Sequence, residues 1–211
     1  MKLYTYWRSS ASYRLRIALN LKGVAASQIE ISLHPDDKEH LGAAYAAKNP
    51  QRRVPAIETA GEVVGQSMAI LEWLDETYPD PPLLPVDPLD RLKARAFADV
   101  VACDIHPLNN VSVLGWLRDK FDADKEGVGA WYAHWIQEGF ATLEQVAAGR
   151  PDTFLFGASP GLAEICLVPQ IYNARRFDVD LSAFPNLLEV DAACLKLNEF
   201  KNAAPEAVKP I

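Results

Sequence analysis

Ser9, Ser10 and Ser12 fall between a β-forming aromatic run, Tyr4-Thr5-Tyr6-Trp7, and a helical pattern carried by Tyr13, Leu15, Ile17, Ala18 and Leu19. That order predicts a strand, a sharp turn and a helix start. Such a junction aims free backbone N–H groups and the positive end of a helix dipole at whatever lies in front of it. An anion is stabilised there, and a thiol there ionises more readily. A serine hydroxyl can add one hydrogen bond to the same anion. The same serines can equally be plain helix caps. Arginines that could line a local pocket for a small anion are Arg8, Arg14, Arg16, Arg52, Arg53, Arg175 and Arg176.

The chain that must position these groups has 211 residues, room for one large or two small domains. Its formal net charge of −7 argues against a nucleic-acid surface or an anionic membrane as partner. Cys103, Cys166 and Cys194 are odd in number and widely spaced. That spacing suggests neither a disulfide framework nor a metal site, and their apolar surroundings predict buried, inert thiols. The start, Lys2-Leu3-Tyr4, lacks the apolar core of a signal peptide, and no apolar run is long enough to span a bilayer. A reducing cytoplasm is the expected location.

Pro79, Pro81, Pro82, Pro85 and Pro88 crowd into ten residues that neither a helix nor a central strand can hold. This stretch reads as a stiff linker between a domain over residues 1–80 and another over 89–211. Before it, strands are expected over 2–7, at Ile29-Ile31-Leu33, and at 54–57 and 63–64, the last two joined by a turn at Ala60-Gly61. Helices are expected over 12–22, ended by Gly23, over 36–48, and from Ser67 to just before Pro79. The order β-α-β-α-β-β-α is that of a mixed sheet covered by helices. After the linker the pattern is all helical, over 89–120 with a kink at Pro107, then 124–148, 162–176 and 186–199.

The segment Ser9-Ser10-Ala11-Ser12-Tyr13-Arg14-Leu15-Arg16-Ile17-Ala18-Leu19 resembles the signature of the zeta class of glutathione transferases, the glutathione-dependent maleylacetoacetate and maleylpyruvate isomerases. Asn49-Pro50, Val54-Pro55 and Gln66-Ser67 follow in that family's order and spacing. The resemblance covers essentially the whole chain. It implies a thioredoxin-like N-terminal domain followed by an all-helical C-terminal domain, usually dimeric, with glutathione as cofactor. It further implies a cis peptide before Pro55 that opens the Val54 backbone to the cysteinyl unit of glutathione. Gln66 and Ser67 would receive the γ-glutamyl end, and His40 the glycyl end. Ser9 takes the place of the catalytic serine, with Ser10 beside it. Since serine is no base at neutral pH, its help to a thiolate must be electrostatic. Arg8 and Arg176 match positions that can grip the carboxylates of a dicarboxylic diketo acid substrate, whereas Arg175 reads as a solvated helix end.

The activity so implied is cis–trans isomerisation: a glutathione thiolate adds to the cis double bond of a maleyl diketo acid, the resulting single bond rotates, and the thiolate leaves. Three departures from the family pattern bear on this. Ala11 stands where the zeta motif has Cys, and His106 where many members have Gln. With Asn109, Asn110 and Ser112, His106 forms a further set of candidate glutathione contacts. The run Cys103-Asp104-Ile105-His106-Pro107 resembles maleylpyruvate isomerases of gentisate catabolism, which favours maleylpyruvate over maleylacetoacetate. Gly161 and Glu164 stand where the fold usually caps a buried helix with Ser or Thr and Asp; the helix is expected to persist. The rival readings are a dehalogenase or conjugating enzyme of the same fold and a non-catalytic binding protein.

Overall fold

The computed structural model describes residues 1–210. One unit holds Met1–Leu83 together with the segment from Lys196 on, and the other holds Leu84–Leu195. In the first, β1 (Lys2–Thr5), α1 (Ser10–Lys22), β2 (Ser27–Glu30), a single 3₁₀ turn (Glu39–Leu41), α2 (Ala43–Ala46), β3 (Ala56–Thr59), β4 (Glu62–Gly65) and α3 (Ser67–Thr77) follow one another. The sheet order is β2-β1-β3-β4. β1 runs parallel to β2, with Tyr4 opposite Ile29, and antiparallel to β3, with Leu3 opposite Ile57. Leu3, Ile57, Leu15, Ile17, Ile70, Leu71 and Leu74 are buried in this unit's core.

The β3–β4 turn places Ala60 and Gly61 both at positive φ, as a two-residue hairpin requires. Gly23 ends α1 at φ 64, where a side chain would be strained. The second strand lies earlier than its alternation suggested, and Ile31 is buried just past its end. The helix expected over 36–48 is only the 3₁₀ turn and the four residues of α2. Gly42 separates the two pieces in an extended conformation that no helix can pass through.

In the second unit, α4 (Pro88–Asp99) runs into a π-helical turn (Val100–Ile105), followed by α5 (Val111–Phe121), α6 (Lys125–Ala148), α7 (Leu162–Arg176) and α8 (Pro185–Cys194). Asp87 caps α4, accepting from the N–H groups of Leu89 and Asp90, with Pro88 in the first turn. At Pro107 the chain breaks instead of kinking: α5 restarts at Val111 with Asn110 as its cap. Almost every side chain of α7 is buried. Its start is held by Glu164, which accepts from the N–H groups of Gly161 (2.8 Å) and Leu155 (2.7 Å). Glycine offers no side-chain acceptor, so the glutamate's reach back to the cap residue and the preceding loop is what ties this helix start in place.

Two short helices, α9 (Asn198–Lys201) and α10 (Pro205–Val208), complete the first unit. Tyr13 Oη donates to Phe200 O, Arg16 Nε to Ala203 O and Asn20 Nδ2 to Glu199 O. The helix expected over 186–199 is therefore two pieces that belong to different units. Cys166 and Cys194 are buried as expected, but Cys103 is exposed because it lies on the outer side of the π-helical turn, between the buried Val101 and Ile105. Among the described residues, no helix is long and apolar enough to cross a membrane.

Candidate active site

Ser9 is the cap of α1. Its backbone is extended, and its Oγ accepts from Ser12 N at 3.2 Å. An accepting hydroxyl keeps its proton to donate, and among the described residues nothing receives it. Capping the helix and helping a thiolate are thus compatible roles for one side chain. Ser10 is buried in the first turn of α1. Arg8 is exposed, its guanidinium over the Trp7 ring at 5.1 Å from the centroid. Arg16 is a brace and no pocket residue: it is buried and donates to Trp7 O (2.9 Å) and Thr5 Oγ1 (3.3 Å), fixing the strand–helix turn from behind.

The peptide between Val54 and Pro55 is cis, as the resemblance implied, and so is Asp80–Pro81, which was not anticipated. Tyr45 Oη and Asn49 Nδ2 both donate to Arg53 O, fastening the loop one residue before Val54. Among the described residues no hydrogen bond engages the Val54 backbone, which leaves a peptide edge open. Gln66 is exposed at φ 71, and its Nε2 donates to Gln51 Oε1 at 3.2 Å. Ser67 opens α3, is buried, and its Oγ accepts from Arg14 Nη1 at 3.3 Å. His40 is half-buried with Nδ1 3.2 Å from Ser32 O. A proton on Nδ1 would donate to that carbonyl and leave Nε2 as the ring's acceptor.

The remaining candidates lie on the second unit. His106 follows the π-helical turn and is half-buried. Asn109 is buried and donates to Tyr132 O at 3.1 Å. Asn110 Oδ1 accepts from Ser112 N and Oγ as the α5 cap. Arg176 is exposed at the end of α7, with its guanidinium 4.9 Å from the Phe177 ring centroid. Phe177 in turn stacks on Tyr132 at 3.7 Å between centroids, nearly parallel. Burial pushes the Tyr132 phenol well above its ordinary range, with Arg176 opposing, so it stays neutral. Arg175, expected to be a solvated helix end, is ion-paired with the buried Asp191 at 2.6 Å. Burial raises the Asp191 carboxyl and Arg175 lowers it.

On the first unit, then, Ser9, Ser10 and Arg8 share one turn, while Ser67 and Gln66 share another with Arg14 beneath them. Two partners were not legible in the sequence: Arg14, which sits in the motif but was not tied to Ser67, and Phe177, whose only signal was its place after Arg176.

A serine-capped strand–turn–helix, a cis proline ahead of β3 and a following all-helical unit are the marks of one class of protein. The profiles described as glutathione S-transferase N-terminal and C-terminal domains match residues 3–82 and 129–190. The chain belongs to the glutathione transferase family, in its zeta class of maleylpyruvate and maleylacetoacetate isomerases. It is similar to a maleylpyruvate isomerase of a Ralstonia species, 49% identical over 209 residues covering 98% of each chain. It is similar to a maleylacetoacetate isomerase of Pseudomonas aeruginosa, 47% identical over 206 residues covering 97% of this chain and 96% of the other. A solved holo structure of a maleylpyruvate isomerase, a bacterial zeta-class glutathione transferase, superposes with a TM-score of 0.95 at 49% identity over 99% of both chains.

Proposed function

We propose that this chain is a glutathione-dependent cis–trans isomerase that converts maleylpyruvate to fumarylpyruvate in gentisate catabolism. The observation that carries it is the end-to-end similarity to the Ralstonia maleylpyruvate isomerase. The residues fit the cofactor: an open peptide edge at Val54 suits its cysteinyl unit, the N-terminus of α3 suits a carboxylate, and Ser9 keeps a proton for the sulfur. When bound, glutathione supplies a thiolate that adds reversibly to the substrate's cis double bond and so permits rotation.

The chain's own groups do the rest. Ser9, with Ser10 beside it, donates toward the sulfur at the positive end of α1 and favours its ionised form. Val54, Gln66 and Ser67 hold the cofactor, with His40 toward its glycyl end. Arg8 and Arg176 take the two carboxylates of the dicarboxylic diketo acid. His106 donates to cofactor or substrate, and Asn109, Asn110 and Ser112 are proposed to hold its turn and, through it, to contact glutathione. The same machinery serves maleylacetoacetate, which the 47% match to the Pseudomonas enzyme supports as a second reading.

Proton NMR of each substrate with enzyme and glutathione tests both readings through the vinyl coupling, which changes from cis to trans. Conversion of neither overturns the isomerase reading; a strong preference for maleylacetoacetate overturns the substrate choice. A cytoplasmic home, where glutathione is plentiful, and a homodimer complete the proposal. Light scattering at twice the chain mass of 23.3 kDa is expected, and a monomer would refute the dimer.

A further inference from the structure

Arg14 is a buried charge without a counter-charge. Its side chain leaves α1 beneath the start of α3, and the residue is only 2% exposed. Nη1 donates to Ser67 Oγ, while Nε and Nη2 are buried and have no hydrogen-bond partner. Among the described residues no carboxylate lies within ion-pair distance of it. The first turn of α3 carries no acidic residue either, so the guanidinium faces the positive end of a helix dipole. A buried cation normally has a partner, because the cost of desolvating it is otherwise unmet. Here the one hydrogen-bond partner among the described residues is a neutral hydroxyl and the helix end beside it is positive, an arrangement complementary to an anion brought from outside.

We infer that Arg14 is a positioning residue whose counter-ion is the γ-glutamyl α-carboxylate of glutathione, reached through Ser67. By donating to Ser67 Oγ, Arg14 occupies a lone pair of that hydroxyl and turns its proton outward to donate to the carboxylate. Hydrogen bonds in such a chain polarise one another, and the buried charge strengthens the last one. Arg14 thereby selects thiols that carry a carboxylate at this end. This rests on the glutathione reading above and names the group that enforces it.

The test compares calorimetric binding of glutathione and of cysteinylglycine, which lacks the γ-glutamyl unit, to wild type, Arg14→Met and Arg14→Gln. Wild type is expected to prefer glutathione strongly. Both variants should lose about ten- to a hundredfold in glutathione affinity, the range for one charge-assisted hydrogen bond, and little for cysteinylglycine. Melting temperatures without ligand should equal or exceed that of wild type, since an unpaired buried charge has gone. Should Arg14→Met fail to fold, Arg14→Gln, which is polar but lacks the charge that strengthens the last hydrogen bond, carries the comparison. Equal losses for both thiols, unchanged glutathione binding, or ligand-free melting of the folded variant lowered by several degrees would overturn the inference. Wild type that binds no glutathione at all would instead overturn the cofactor reading.

Discussion

The cap observed at Ser9 and the thiolate role proposed for it are separable by substitution. Ser9→Ala removes the acceptor for Ser12 N, which should cost about 1 kcal/mol of stability in denaturant unfolding. It also removes the proposed donor to a charged sulfur, worth roughly 1.5–3 kcal/mol, so turnover should fall about ten- to a hundredfold. The pKa of the bound thiol, read by ultraviolet absorbance, should rise. Ser9→Asp keeps the cap but sets a negative charge beside the thiolate; it should melt near wild type and be nearly inactive. An active Ser9→Asp enzyme would show that the α1 end governs the thiol without the hydroxyl. Arg176→Ala is expected to lower kcat/KM for maleylpyruvate ten- to a thousandfold, roughly 1.4–4 kcal/mol, with glutathione affinity unchanged. Phe177 supports that guanidinium with its ring face and is itself stacked on Tyr132. Phe177→Leu should therefore raise KM for the dicarboxylate more than it lowers kcat, and an unchanged KM would deny the support. Ser9 and Arg176 were readable as candidates from residue type and motif position. The stacking of Phe177 was not, because Tyr132 lies 45 positions away in the chain and only packing brings the rings together.

At the scale of the element, the start of α7 rests on one glutamate. Glu164 is buried and accepts from two backbone N–H groups that have no other acceptor among the described residues. Glu164→Ala should cost about 2–6 kcal/mol in urea unfolding, since each of the two orphaned donors costs about 1–3 kcal/mol. Burial outweighs those hydrogen bonds and holds the Glu164 carboxyl above its ordinary range. The native state then binds this proton more tightly than the unfolded chain does. Its contribution to stability is complete below the ordinary glutamate pKa and fades as pH rises through the raised one. Asp191, also raised by burial, acts in the same direction. Arg175→Ala removes the opposing influence on Asp191 and should steepen the loss of stability from pH 4 upward. A flat difference between the two proteins across pH would deny the coupling. The π-helical turn before His106 has its own constraint: a Cβ built at Gly139 on α6 would run into the buried Ile105 side chain. Gly139→Ala should destabilise by about 1–3 kcal/mol through overpacking. Helix boundaries from propensity fail where packing decides: the spacing predicts a kink at Pro107, yet the helix gives way there to hydrogen-bonded turns before α5 starts, while Pro169 sits inside α7 without ending it. A proline removes one donor and fixes one dihedral angle, and the surrounding core settles whether the helix survives that.

For the molecule as a whole, thiol chemistry gives a check that owes nothing to the active site. An aromatic disulfide reagent should modify one thiol of the native protein quickly, Cys103, and all three after denaturation. Burial pushes the Cys194 thiol far above its ordinary range and adds a second barrier to its reaction. Two fast thiols in the native state would contradict the burial of Cys166 or Cys194. The acidic balance, the order β-α-β-α-β-β-α, the proline-rich junction and the motif set from Ser9 to Ser67 are all properties of local spacing and residue type, and the sequence by itself determined them. Short-range physics writes such features into every window of the chain: strand alternation, helix period, caps and turn residues. Tertiary structure alone decided three others. The segment from Lys196 joins the first unit because Tyr13, Arg16 and Asn20 of α1 donate to its carbonyls. Arg175 finds Asp191, and Arg14 comes to lie beneath Ser67 with no acid beside it. Each joins residues far apart in the chain, and which buried charge meets a counter-charge and which is left without one depends on how the cores close around them, a long-range outcome that no local pattern encodes.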